Sequence, residues 1–236
     1  MSRINIIDSI RGFSFFPMFI FHIFAAYDLV NLFTTSTVNN PSIHFLGLIR
    51  NVFIILAGVS MSLSVINKED NVKYYTSRLK RSLKILVHAM FLTALTHYLF
   101  PGFGIKFGVL HFIGLSTLLL SPIADNNFLL VLLAIVLLFV KIPSINPTID
   151  TITGAGIHYN MADWFPLQKY LPLMIFGILL GKMIFSDMEK NKDDESPPTV
   201  LEYIGRESLN FYTVHLTLLI VVFYIWKKYF TNRPSF

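Results

Sequence analysis

Cysteine is absent from the 236 residues. Its absence excludes disulfides, thiolate metal sites and catalysis through a sulfur nucleophile, and it leaves the compartment open. Charge is also scarce, with Asp, Glu, Lys and Arg making up 14% of the chain, against about 25% in an average soluble domain. That shortage argues against a water-soluble globule. What fills the space is apolar: 54% of residues, including 23 phenylalanines, with a mean hydropathy of +0.61. Disorder, collagen-like repeats and low-complexity tails are excluded by the same composition. The length suits a single domain, residues 1–236.

Of the stretches that carry no Asp, Glu, Lys or Arg, seven fit as helical spans: Gly12–Tyr27, Asn51–Asn67, Ile85–Ile105, Phe107–Ala124, Asn126–Val140, Tyr170–Gly181 and Ser208–Trp226. A bilayer core about 30 Å thick takes about 20 apolar residues per helix. The stretches therefore predict an all-α, polytopic transmembrane helical bundle of about seven spans. Six spans is the alternative, because Asn126–Val140 and Tyr170–Gly181 reach length only with borrowed flanks, tilt or local thinning.

The basic residues are placed unevenly. Lys68, Lys73, Arg78, Lys80, Arg81 and Lys84 crowd the connection after the second stretch, and Lys182, Lys190, Lys192 and Arg206 crowd the one after the sixth. The positive-inside rule puts both connections, and with them the amino terminus, on the cytoplasmic side of a cell membrane. The formal charge of +5 is thereby accounted for without nucleic acid as a partner. The first stretch is too long for a signal peptide, carries His22 and lacks an A-x-A site, so it is expected to stay in the mature protein. Gly177 with Gly181, and Ala57, Gly58 and Ser60, give two helices thin faces for close packing, which also permits a homodimer.

Polar groups placed in hydrocarbon at a cost are the candidates for chemistry. Five histidines, His22, His88, His97, His111 and His215, fall inside the charge-free stretches. An imidazole can exchange a proton near neutral pH, or it can simply hydrogen-bond across helices. Arg11 and His22 are set apart by geometry: on a helix they lie about 20° off a common stripe and about 16 Å apart. The pantetheine arm of coenzyme A, about 15–18 Å long by the usual reach of an extended chain, matches that separation. Arg78 and Arg81 stand three apart, with Lys84 three further on, an arrangement suited to phosphate and equally to anionic lipid or topology. Asp8, one turn from Arg11, offers it a structural partner.

Two carboxylates fall on the outer side, Asp28 and Asp163. Either can orient an amine or hydroxyl acceptor, or steady an imidazolium. Asp28 points about 120° away from His22 on the same helix, which leaves Asp163 the freer of the two. Trp164 beside it suits an acceptor site and an interfacial aromatic belt equally.

Six elements occur in order along the chain: Asp8-x-x-Arg11-Gly12 with His22 after ten intervening residues, Ala57-Gly58-Val59-Ser60, Arg78-x-x-Arg81, Phe107-Gly108-Val109-Leu110-His111, Asp163-Trp164-Phe165-Pro166-Leu167, and Gly205-x-x-Ser208-Leu209-x-x-Tyr212-x-x-His215. Together they resemble the small prokaryotic members of the heparan-α-glucosaminide N-acetyltransferase catalytic-domain family. The arginine–histidine and Arg-x-x-Arg elements also resemble those of the wider transmembrane acyltransferases that decorate cell-surface glycans.

The resemblance implies an integral membrane acyltransferase. It would move an acyl group, usually acetyl, from cytoplasmic acetyl-CoA or another acyl-CoA to a hydroxyl or amine of a sugar or glycoconjugate reached from the other side. The family's catalytic histidine falls on His22, the general base here, with Asp163 as the second catalytic residue. Arg11, Arg78 and Arg81 match the donor positions; Lys84 and His111 join them. Asp28, Trp164 and His215 are assigned to the acceptor, and no metal is expected. Transfer is direct, or passes through an acyl-histidine. The chain departs from the family in lacking the Gln-Pro that often follows the last-helix histidine, and the acceptor's identity stays open. Two other classes fit the same residues: a proton-coupled carrier with the histidines as a relay, and a scaffold subunit of a membrane complex.

Overall fold

A computed structural model describes residues 5–30, 41–100, 104–155, 163–186 and 197–230, with the side chains of 26–50 and of 230 excepted. The helices in chain order are α1 (Asn5–Val30), α2 (Pro41–Ile66), α3 (Asn71–Leu99), α4 (Val109–Leu120), α5 (Asn127–Phe139), α6 (Pro147–Thr153), α7 (Leu167–Phe185), α8 (Val200–Arg206) and α9 (Ser208–Phe230). No strand is formed among the described residues. The chain is an all-helical membrane bundle, in which four helices (α1, α3, α7 and α9) are long and apolar enough within their described residues to cross a bilayer. Shorter apolar helices, including α4 and α5, complete it.

Local chemistry sets the helix starts. The Asp70 side chain accepts from the Val72 N–H, Asn126 from Leu129, and Asn146 from both Thr148 and Ile149 ahead of Pro147. Thr199 and Glu202 form a reciprocal cap at α8. Each contact satisfies backbone donors that the first helical turn leaves without an internal partner.

The most extensive helix pairing is α2 with α7, and it is built on glycine. A Cβ on Gly58 would strike the Met174 carbonyl, one on Gly177 the Ile55 carbonyl, and one on Gly181 the Ser62 hydroxyl. Gly177 and Gly181 are therefore covered by α2 of the same chain, so the thin face that permitted a homodimer is occupied within the monomer. A second seam joins α1 to α8, where a Cβ on Gly12 would meet the Leu201 carbonyl and one on Gly205 the Asp8 carbonyl. Lipid drives no hydrophobic association between helices, so close backbone packing supplies much of the attraction.

The fourth and fifth charge-free stretches behave differently from the others. α4 has 12 residues and α5 has 13, about 18 and 20 Å of helix, short of the bilayer core. Before α4 the chain is extended rather than helical: the Ile105 N–H donates to Thr96 Oγ1 at 3.0 Å, and Phe107 pairs with Trp164 in a parallel bridge whose Phe165 N–H donates to the Phe107 carbonyl at 2.9 Å. Ile105, Phe107 and Phe165 are all buried. Non-helical backbone is tolerated inside a membrane protein where protein surrounds it or a cavity borders it.

At the end of the bundle where α2, α4 and α7 finish, Lys68 pairs with Asp125, and Lys182 Nζ donates to the Asp125 carbonyl at 3.1 Å and to Asn127 Oδ1 at 2.6 Å. At the opposite end, α6 is tied to the bundle by Trp164, whose Nε1–H donates to the Thr151 carbonyl at 2.7 Å. The Asp150 carboxylate accepts from the Ser144 hydroxyl and from the Ile145 N–H, contacts that hold its pKa below the usual carboxylate range. A depressed pKa stabilises the folded loop above the unfolded carboxyl's pKa, and that contribution is lost as pH falls through the lower folded value. Acidification below about pH 4 is expected to loosen α6 and shift Trp164 emission to the red. Asp150→Asn should remove most of this pH response, checked by fluorescence titration in detergent; an unchanged titration would refute the assignment.

Candidate functional site

The basic end of α1 is held by a carboxylate. Asp8 Oδ1 accepts from Arg11 Nη1 at 2.8 Å, and Asp8 Oδ2 lies 3.6 Å from Arg206 Nε. Arg206 also donates to Asn5 Oδ1 at 3.1 Å. Arg11 Nη2 bonds to Ser60 Oγ on α2, and the Ser60 hydroxyl is shared with the Leu56 carbonyl at 2.7 Å. The Gly12 and Gly205 seam explains how α8 comes near enough to deliver Arg206. Asp8 is 6% exposed, so the guanidinium groups beside it offset its cost of burial.

Further along α1, His22 Nδ1 lies 2.9 Å from His215 Nε2 on α9. His215 Nδ1 is 2.7 Å from the Phe211 carbonyl oxygen, one helical turn back. Aromatic rings surround the pair: Phe15 and Phe19 stand at 5.0 and 5.6 Å from the His215 ring, and Tyr212 at 5.5 Å from each imidazole. His88 meets the same helix elsewhere, its Nδ1 lying 3.0 Å from Thr213 Oγ1.

One cavity joins these two levels. Arg11, Arg81 and Ser208 line it, as do His22, Asp163 and Tyr212, and its empty volume is about 950 Å³ with the open space at its mouth included. On the measure by which small-molecule sites run to about 300–1,000 Å³, its volume is about 130 Å³. The rest of the wall is largely apolar, including Met18, Phe53, Ile85 and Leu110. The arrangement sets cations at one level of a mostly apolar chamber and an imidazole with a carboxylate at another.

Asp163 reaches the chamber through the extended segment paired with Phe107. Its Oδ2 accepts from the Val109 N–H at 3.0 Å, the first backbone donor of α4. A side chain on Gly108 would run into that carboxylate, so the glycine is what lets Asp163 sit on the helix start. A carboxylate there is favoured by the helix dipole.

The remaining residues singled out from the sequence divide. His111 is not among the cavity-lining residues; its Nδ1 accepts from the Gly108 N–H at 3.3 Å and its Nε2 faces Thr93 Oγ1 at 3.3 Å, which braces the start of α4. Trp164 is engaged with Thr151. Arg78 is 3% exposed, stacks its guanidinium 5.9 Å from the Tyr74 ring centroid, and has a buried Nε with no hydrogen-bond partner among the described residues. Lys84 is exposed. Asp28 has a side chain outside the described residues.

Ser60, Tyr212, Ser208 and the Asp8–Arg206 contact also build this region. Ser60 carried a usable signal, since a polar residue inside an apolar stretch at the depth of Arg11 is a candidate partner for it. Tyr212 and Ser208 stood in the last motif without a role. Arg206 gave no such signal, because its charge is explained equally well by topology.

The bundle of apolar helices, with ionisable groups set in the mostly apolar wall of an internal chamber, defines an integral membrane protein that places an ionisable site within its helices. A family-wide sequence profile described as "Heparan-alpha-glucosaminide N-acetyltransferase, catalytic" matches residues 3–217. The chain belongs to that family, and in kind it is a membrane acetyltransferase. No curated protein and no solved structure matches it.

Removing Asp8 would leave Arg11 and Arg206 without their carboxylate. Asp8→Ala is expected to destabilise the protein by about 3–5 kcal/mol, the usual cost of breaking a buried ion pair on one side. Thermal unfolding in detergent checks this, and a melting temperature equal to the parent's would show that Asp8 is not the anchor.

Proposed function

We propose that the chain transfers an acetyl group from acetyl-CoA, bound from the cytoplasmic side, to an amine or hydroxyl of a sugar or glycoconjugate reached from the other side. One observation supports the reading above all: a single cavity is lined by Arg11 and Arg81 and also by His22 and Asp163. The donor carries a polyanionic head and a long flexible arm, so it needs cations at one end of a chamber and a proton acceptor at the other.

Arg81 and Arg11 bind the phosphates of the head, and Arg78, three residues from Arg81 on the same helical face, adds to the field. The unpartnered buried Nε of Arg78 fits this assignment, because a buried cation lacking an anion is costly until one arrives. The apolar wall between the two levels suits the pantetheine arm.

His22 acts as the base. It takes the proton from the acceptor amine or hydroxyl as the acceptor's lone pair forms a bond to the thioester carbon. The C–S bond then breaks, and the departing thiolate recovers the proton from the His22 imidazolium. Asp163, fixed on the start of α4, orients the acceptor and favours the transient positive charge. Aromatic side chains around His22 keep water from competing for the thioester.

Positioned proton transfer is worth about 10²- to 10⁴-fold. His22→Ala is therefore expected to lose most turnover while acetyl-CoA still binds, and Arg81→Ala to weaken acetyl-CoA binding by about tenfold or more. The assay is acetyl-CoA with glucosamine as acceptor, read by a thiol reagent. The reagent sees only released CoA, because the protein has no cysteine. Full transfer by the His22 variant would overturn the reading.

A further inference from the structure

The two imidazoles fix each other's protons. A carbonyl oxygen only accepts, so His215 Nδ1, 2.7 Å from the Phe211 carbonyl, must carry a hydrogen. A neutral ring protonated at Nδ1 has its lone pair on Nε2. That Nε2 lies 2.9 Å from His22 Nδ1, and the contact is a hydrogen bond only if His22 Nδ1 is the donor. His22 is then protonated at Nδ1 and basic at Nε2.

We propose that His215 is a positioning residue for acetyl transfer: it acts through His22 rather than on the acceptor, holding the base in the tautomer whose Nε2 takes the proton. The inference rests on the transfer reading above. In the step itself the acceptor's proton goes to His22 Nε2 while Nδ1–H stays in place. The new C–N or C–O bond forms as C–S breaks, and the thiolate then removes the Nε2 proton. While the imidazolium lasts, its Nδ1–H bond to His215 is charge-assisted and stronger. The helix backbone at Phe211 plays the part of the last member of a triad. His215 occupies the place where a carboxylate often stands, and a neutral ring packed against Phe15, Phe19 and Tyr212 needs less solvation than a carboxylate would.

The test compares His215→Phe, which keeps an aromatic ring but offers no acceptor, with His215→Gln, whose amide oxygen can accept from His22 Nδ1–H. With acetyl-CoA and glucosamine, His215→Phe is expected to lower kcat by about 10²-fold or more with KM for both substrates little changed. His215→Gln should recover about tenfold of that loss. Equal turnover in parent and His215→Phe, or a raised KM at unchanged kcat, overturns the proposal in favour of a structural or acceptor-binding role. Nuclear magnetic resonance of isotope-labelled histidine nitrogens in the parent decides the matter even if His215→Phe fails to fold. Nδ1–H on both rings supports the positioning role of His215, and Nε2–H on His22 overturns it. A parent that acetylates nothing defeats the transfer reading itself. An active parent, an inactive His22→Ala and a fully active His215→Phe defeat only the role given to His215.

Discussion

The hydrogen bond between His22 and His215 fastens the first long helix to the last, and His22 stands at that junction in the wall of the chamber. Their meeting point lies inside an aromatic enclosure of Phe15, Phe19 and Tyr212. In such surroundings a polar atom without a partner costs more than it does near water. Each ring supplies what the other needs, and the Phe211 carbonyl closes the chain. Below it the Asp8, Arg11, Arg206 and Ser60 contacts do the same for the basic end of α1. α1 is thus pinned at two heights, and the stripe between the pins faces the cavity.

The other wall depends on a helix that starts late. α4 begins at Val109, after a buried extended stretch paired with Trp164. That places a backbone N–H, rather than a further helical turn, opposite Asp163. His111 and Thr93 secure the same helix start from behind. The broken geometry costs regular hydrogen bonding, and Phe165, Thr96 and Asp163 supply the replacements. Interrupted helices at depth are a common way for membrane proteins to bring backbone polarity to a site.

Much of this was legible in the sequence, for identifiable reasons. Lipid demands apolar side chains, so the charge-free stretches marked the helices. Helical periodicity is strict, so Arg11 and His22 could be put on one stripe before any coordinates, and both line the same cavity. Partners between helices were another matter. His215 lies 193 positions from His22, and no periodicity links them. The late start of α4 was hidden because Phe107 and Gly108 are as free of charge as the helix residues Val109–Leu120. The neighbour of Gly177 and Gly181 was equally hidden, since a thin face says that something packs closely but not what does.

The glycine seam between α2 and α7 carries one further consequence. At Gly58 and Gly177 the facing atoms are backbone carbonyls of the other helix, which cannot swing aside as a flexible side chain can. The smallest available change, a single methyl, already collides. The distance between these two helices is therefore set by the glycines themselves, and a larger residue at either position enters only if a whole helix backbone moves.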